Sequence, residues 1–209
     1  MIEKIQSDDV AISCRFCNNA DLDPVLNLGD HPISHRLLSD PASEEYRHLV
    51  DLRFCGNCGL IQLIEPISPE KLYSEYFCLS SWKYQPHSES VAALVETLPG
   101  LTKDCSIVEV GSNDGLFLAS LADKGYEKLI GIEPAEDAFA EAQKRGVNTL
   151  NRYFNESMAV ELCKERGQCD LLISRQVLEH VIDLAGFLQS VVTLVKEGGY
   201  VIIEVPNFE

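Results

Sequence analysis

Nowhere do the 209 residues hold the 18 or more consecutive apolar positions that a membrane-spanning helix requires. The N-terminal segment also lacks the continuous apolar stretch of a signal peptide, because Glu3, Lys4, Asp8 and Asp9 interrupt its apolar residues. Basic residues are scarce: Lys and Arg number 17 against 33 Asp and Glu, a net charge of −16. Nucleic-acid binding rests on cations that neutralise phosphates, so nucleic acid is a poor partner for this chain. Internal repeats and low-complexity tracts are missing as well. The expectation is a soluble, cytoplasmic protein without a membrane or nucleic-acid partner, whose eight cysteines serve as thiols or metal ligands rather than as a disulfide framework.

A chain that is 45% hydrophobic and 24% charged has enough apolar material for one full core and a small satellite. Two textures divide it. Residues 1–65 carry Pro, His, Asn and paired cysteines with little periodicity, which suits a loop-rich module held by something other than a large core. Residues 66–100 form an aromatic-rich connector (Tyr73, Tyr76, Phe77, Trp82, Tyr84) followed by a helix over 88–98. From 101 to 209, short apolar strands alternate with amphipathic helices. Strands are expected at 107–110, 129–132, 147–150, 171–174 and 200–205, and helices at 116–124, 136–145, 156–166 and 184–196. This alternation predicts an α/β fold, a doubly wound, Rossmann-like parallel sheet behind a small N-terminal module.

Cys14-Arg-Phe-Cys17 and Cys55-Gly-Asn-Cys58 are two C-x2-C knuckles. That spacing lets the thiolates of each turn point at one ion and complete a tetrahedral zinc site. The alternative is a pair of redox C-x-x-C motifs, which two pairs in a small-cored module make the poorer reading. The segment between the pairs is longer than a zinc ribbon needs and is expected to form structure of its own. Cys78, Cys105, Cys163 and Cys169 lack metal-like spacing and read as free thiols.

The first strand of the second region runs into Glu109-Val-Gly111-Ser-Asn113-Asp114-Gly115, a turn-prone loop ahead of a helix. In doubly wound folds such a loop binds nucleotides, although it also reads as a plain strand-to-helix turn. A dinucleotide wants bare amides from G-x-G-x-x-G; here the middle glycine is absent and Glu109 and Asp114 bring negative charge. A cationic cofactor, S-adenosylmethionine, suits the loop better. Glu133, ahead of Pro134, sits where a carboxylate accepts ribose hydroxyls, a feature that both ligands share. Pro134, Phe154, Asn155 and Gln176 complete the cofactor-binding candidates.

The order of the cysteine pairs, Leu28-Gly29-x-x-Pro32, Cys58-Gly59-Leu60-x-Gln62-Leu63, the Tyr/Ser-rich connector, the 109–115 loop and Val177-Leu-Glu-His180-Val resembles the zinc-containing class I sugar C-methyltransferases. The resemblance implies C-methylation of a nucleotide-linked keto-deoxysugar, with S-adenosylmethionine and Zn²⁺ as cofactors. The reaction it implies removes a proton beside a keto group, and the enolate then attacks the sulfonium methyl. His180 would serve as a donor or acid/base. Tyr76 matches the first tyrosine of the family's connector and Ser80-Ser81 its serine pair, while Cys78 replaces the second tyrosine. The resemblance further implies a Tyr-x-Glu-His segment and a C-terminal domain beyond Glu209, so the chain is expected to be the front portion of such an enzyme, possessing five of seven strands.

Overall fold

A computed structural model describes residues 12–33, 38, 40, 42–73 and 86–207. The chain divides into two compact units, Met1–Ser68 and Pro69–Glu209.

The first unit holds more regular structure than a loop-rich module. Strands β1 (Leu22–Pro32), β2 (Arg47–Cys55) and β3 (Ile61–Leu63) form an antiparallel sheet in the order β1-β2-β3. Two register shifts bend β1, between Pro24 and Leu26 and between Asn27 and Gly29. Gly29 adopts φ 76°, a left-handed conformation that glycine accepts at little cost. Asp51, buried in β2, accepts from Nε and Nη2 of Arg53 at 2.9 and 2.8 Å and from Asn27 across the sheet. The buried carboxylate is thus matched by a charge-assisted pair within its own strand.

The second unit contains α1 (Pro69–Tyr73), α2 (Pro86–Thr97), β4 (Ser106–Val110), α3 (Leu116–Asp123), β5 (Lys128–Ile132) and α4 (Glu136–Lys144). It continues with β6 (Thr149–Leu150), α5 (Glu156–Arg166), β7 (Cys169–Arg175), a 3-10 turn at Leu178–His180, α6 (Leu184–Leu194) and β8 (Val195–Glu204). The five strands form one parallel sheet in the order β6-β5-β4-β7-β8. Both faces are covered, as a parallel sheet of apolar strands requires. Val108, Val110, Ile132 and Leu172 pack toward Met158, Leu162, Val191 and Leu194, and Ile107, Leu171 and Ile173 pack toward Val91, Val95, Phe117 and Leu121.

One element departs from the periodicity. The helix expected to reach residue 196 ends at Leu194, because Val195 already pairs with Cys169 of β7. The strand then bulges through Gly198 (φ 73°) before Tyr200 meets Leu171.

Candidate functional site

The cysteine knuckles occupy two turns of the first unit. Cys14 to Asn19 close on themselves through Asn18 N–H to Cys14 O (2.9 Å) and Cys14 N–H to Asn19 O (2.8 Å). Cys55 ends β2, and the Cys55–Gly59 turn, closed at 2.8 Å, leads straight into β3. Gln62 of β3 joins the two, accepting from Arg15 N–H at 2.9 Å and donating to Ser13 O at 3.1 Å.

All four sulfurs lie within 4.8 Å of one another, and the short contacts cross between knuckles, Cys14 to Cys58 at 3.5 Å and Cys17 to Cys55 at 3.6 Å. A redox pair would bring together the cysteines of one knuckle. A tetrahedron with metal–sulfur bonds of about 2.3 Å has sulfur–sulfur edges of about 3.8 Å, so the cluster fits zinc. Its electrostatics agree. Burial raises the Cys55 thiol, but the N–H groups of Cys58 and Asn57 outweigh burial and hold it at about 6. Leu60 N–H favours the Cys58 thiolate, yet burial and the neighbouring thiols push that group up to about 12. Four thiolates at this spacing need a cation to ionise together.

In the second unit the topology reverses at β4: the chain runs outward through β5 and β6, then returns to the other side for β7 and β8. Doubly wound sheets bind ligands at the carboxyl ends of the strands flanking such a reversal. The 109–115 segment leaves β4 there. Gly111 has φ 71°, and a Cβ on it would stand 2.3 Å from Val177 Cγ2, so no side chain fits. Asn113 is also left-handed (φ 51°), and its N–H donates to Glu133 Oε2 at 2.9 Å. Glu133 Oε1 accepts from Ala135 N–H at 2.8 Å, which fixes the carboxylate at the end of β5. Desolvation raises the Glu133 carboxyl despite these donors.

The acidic residues of the loop divide differently from the sequence expectation. Asp114 is fully buried and meets Arg145, which donates to its carboxylate at 3.3 Å and to its carbonyl at 2.9 Å. Its charge is neutralised within the fold and does not make the loop surface acidic. Glu109 is also fully buried; Arg175 Nε donates to its Oε1 at 3.1 Å, while its buried Oε2 has no hydrogen-bond partner among the described residues.

The remaining candidates fall into two groups. Asn155 caps α5 by accepting from Met158 N–H at 3.0 Å, and Phe154 packs edge-on against Phe187 at 5.5 Å, so both brace the helix that follows β6. Gln176, exposed and left-handed (φ 55°), follows β7 and donates to Glu204 Oε1 at 3.1 Å. His180 lies exposed on the 3-10 turn beyond it, 4.0 Å from Glu179. Gly111, Asn113, Gly115, Glu133, Pro134, Gln176 and His180 thus share the carboxyl side of the sheet. Tyr76 lies outside the described residues, as do Cys78, Ser80-Ser81, Phe77, Trp82 and Tyr84. Arg175 was missed by the sequence reading. The signal was there: an arginine ending an apolar strand, and a glutamate within another, need each other if both strands are buried.

A family model described as a methyltransferase domain matches residues 81–209. The chain belongs to this methyltransferase family. Ahead of the methyltransferase domain, a model described as "Putative zinc binding domain" matches residues 14–73 and includes all four clustered cysteines. The C-methyltransferase NovU of Streptomyces niveus is 29% identical over 197 residues, covering 92% of this chain and 47% of that protein. The ubiquinone biosynthesis O-methyltransferase of Acinetobacter baumannii (strain AYE) is 30% identical over 106 residues, 48% of this chain and 44% of that protein. The chain therefore spans about half the length of these curated relatives. Among solved structures, a SAM-dependent methyltransferase from Thiobacillus denitrificans in complex with S-adenosyl-L-homocysteine is 14% identical, with a TM-score of 0.44 and coverage of 57% of this chain and 48% of that one.

Proposed function

We propose that the methyltransferase domain binds S-adenosylmethionine at the carboxyl ends of β4, β5 and β7 and belongs to an enzyme that methylates a carbon of a nucleotide-linked keto-deoxysugar. The observation that carries the reading is the Glu133 carboxylate at the sheet reversal, fixed at the end of β5 by two N–H donors. Glu133 suits the ribose hydroxyls. Glu109 and Asp114, which together give the loop its negative charge in the sequence, are each buried against an arginine, so the preference for the sulfonium cofactor over a dinucleotide rests on the absent middle glycine and on the methyltransferase family. When bound, the cofactor supplies an electrophilic methyl group. The chain's own residues bind and orient: Gly111 lets the loop approach closely, Pro134 and Gln176 border the site, and His180 offers an imidazole for a substrate oxygen or proton. We assign Tyr76 to the same acceptor side on the resemblance alone.

Support for carbon as the acceptor comes from NovU, a C-methyltransferase related over nearly the whole chain, zinc module included. The O-methyltransferase relatives, matched over about half of it, favour a second reading in which a small metabolite is methylated on oxygen. Calorimetric titration with S-adenosylmethionine tests the binding; no heat at millimolar cofactor would reject it. Deuterium exchange from a keto-sugar carbon, monitored by NMR with the full-length enzyme, separates the acceptors: washout of the α-proton supports carbon, and its retention during methylation supports oxygen.

A further inference from the structure

The two cysteine knuckles are tied to their sheet by different means. Cys55–Cys58 is the turn of a hairpin: β2 leads into it, β3 leads out, and the pairs Leu52–Leu63, Arg53–Gln62 and Phe54–Ile61 fix both sides. Cys14–Cys17 has a strand on one side alone. β1 begins after it, with Leu22 opposite Cys55, and among the described residues no strand precedes it. The bonds from Asn18 N–H to Cys14 O and from Cys14 N–H to Asn19 O close this knuckle on itself and do not attach it to the sheet. A tetrahedral site needs both knuckles at a set distance and angle, so the knuckle with fewer anchors limits it.

Gln62 supplies the missing anchor. It is 2% exposed, and the β2–β3 register sets it opposite Arg53. Its Oε1 accepts from Arg15 N–H at 2.9 Å and its Nε2 donates to Ser13 O at 3.1 Å, so one amide grips the peptide groups on either side of Cys14. The side chain does for Cys14 what the backbone of a neighbouring strand does in a ladder, meeting one N–H and one C=O at once. Asn19 also links the knuckles, but its Nδ2 reaches Cys55 Sγ only at 3.7 Å and is shared with Asp21 O at 2.9 Å. We propose that Gln62 is a positioning residue for the metal: acting through the backbone around Cys14, it sets the first knuckle where its sulfurs meet those of Cys55 and Cys58. The role belongs to the first unit and is separate from the methyl-transfer function of the second.

The test compares the wild-type chain with Gln62→Met, a side chain of similar size that makes neither bond. Competition with a chromogenic chelator should show zinc bound about 10- to 100-fold more weakly by the variant. Affinity alone would also fall through a general loss of stability, because metal binding and folding are coupled. The deciding measurement is therefore thiol alkylation of the fully zinc-loaded proteins, read cysteine by cysteine by mass spectrometry as the ratio of variant to wild-type rate. Cys14 and Cys17 should react faster in the variant, while Cys55 and Cys58, held by their hairpin, keep wild-type rates. Unchanged zinc affinity, or four cysteines accelerated alike, would overturn the proposal, and so would a wild-type chain that takes up no zinc. Should Gln62→Met fail to fold, amide hydrogen exchange in the zinc-loaded wild type decides instead. Protection of Arg15 N–H equal to that of Gly59 N–H, which is bonded within the second knuckle, supports the role, and much faster exchange at Arg15 refutes it.

Discussion

Gly111 is the position where sequence and geometry constrain each other most tightly. A Cβ there would meet Val177 at 2.3 Å on a backbone with φ 71°, so Gly111→Ala adds a clash to a strained conformation. A loss of about 2 kcal/mol or more in denaturant unfolding is expected, together with loss of cofactor binding. Val177→Ala on the same background should recover part of the stability, the clash but not the dihedral strain being relieved; no recovery would mean that the backbone dominates. Glu109 makes a different statement at the same scale. Its carboxyl stands raised from 4.5 to about 7, so between these values the folded state binds more protons than the unfolded one. Stability from this group is therefore lost as pH rises through that window, on the order of 3 kcal/mol in all. Glu109→Gln should show a flatter dependence than wild type between about pH 5 and about pH 7.5. Parallel curves would show that other groups set the slope.

At the scale of elements, legibility followed how local the determining interactions are. The α5 helix was expected over 156–166 and is found at Glu156–Arg166, since its limits are set by the Asn155 cap and Gly167 at its own ends. The end of α6 was misplaced because a strand pairing from Cys169 to Val195 sets it, and a helical pattern carries no trace of that. β1 was missed for a related reason: with Pro24, Gly29 and two bulges, and most side chains exposed, it shows no alternation. The metal site was legible because its spacing is local within each knuckle, whereas the partners of Glu109 and Asp114 lie 66 and 31 residues away. Since one knuckle is the turn between β2 and β3, metal and sheet should be lost together. Chelation of the zinc-loaded chain is expected to open residues 12–68 to proteolysis while 86–207 stay protected, the metal contributing about 10 kcal/mol of apparent folding free energy. Protection of both segments after complete metal removal would contradict this.

For the whole molecule the dominant quantity is charge. A net −16 repels itself across the surface, and scattered ion pairs such as Lys124 with Glu96 and Arg152 with Glu161 offset only part of it. Raising salt from about 0.05 M to about 0.5 M should therefore raise the melting temperature by a few degrees. A fall would show that local pairs outweigh the long-range repulsion. The anchoring of α2 acts at this scale too, in the order of synthesis. Its apolar residues Val91 and Val95 emerge early, but Ser88 waits for Arg175, and the Pro99 carbonyl just beyond the helix waits for Tyr200, 101 residues later. At about 5 to 20 residues per second, that interval is on the order of 5 to 20 seconds. During it, the polar anchors of α2 and of the turn after it are still unmade.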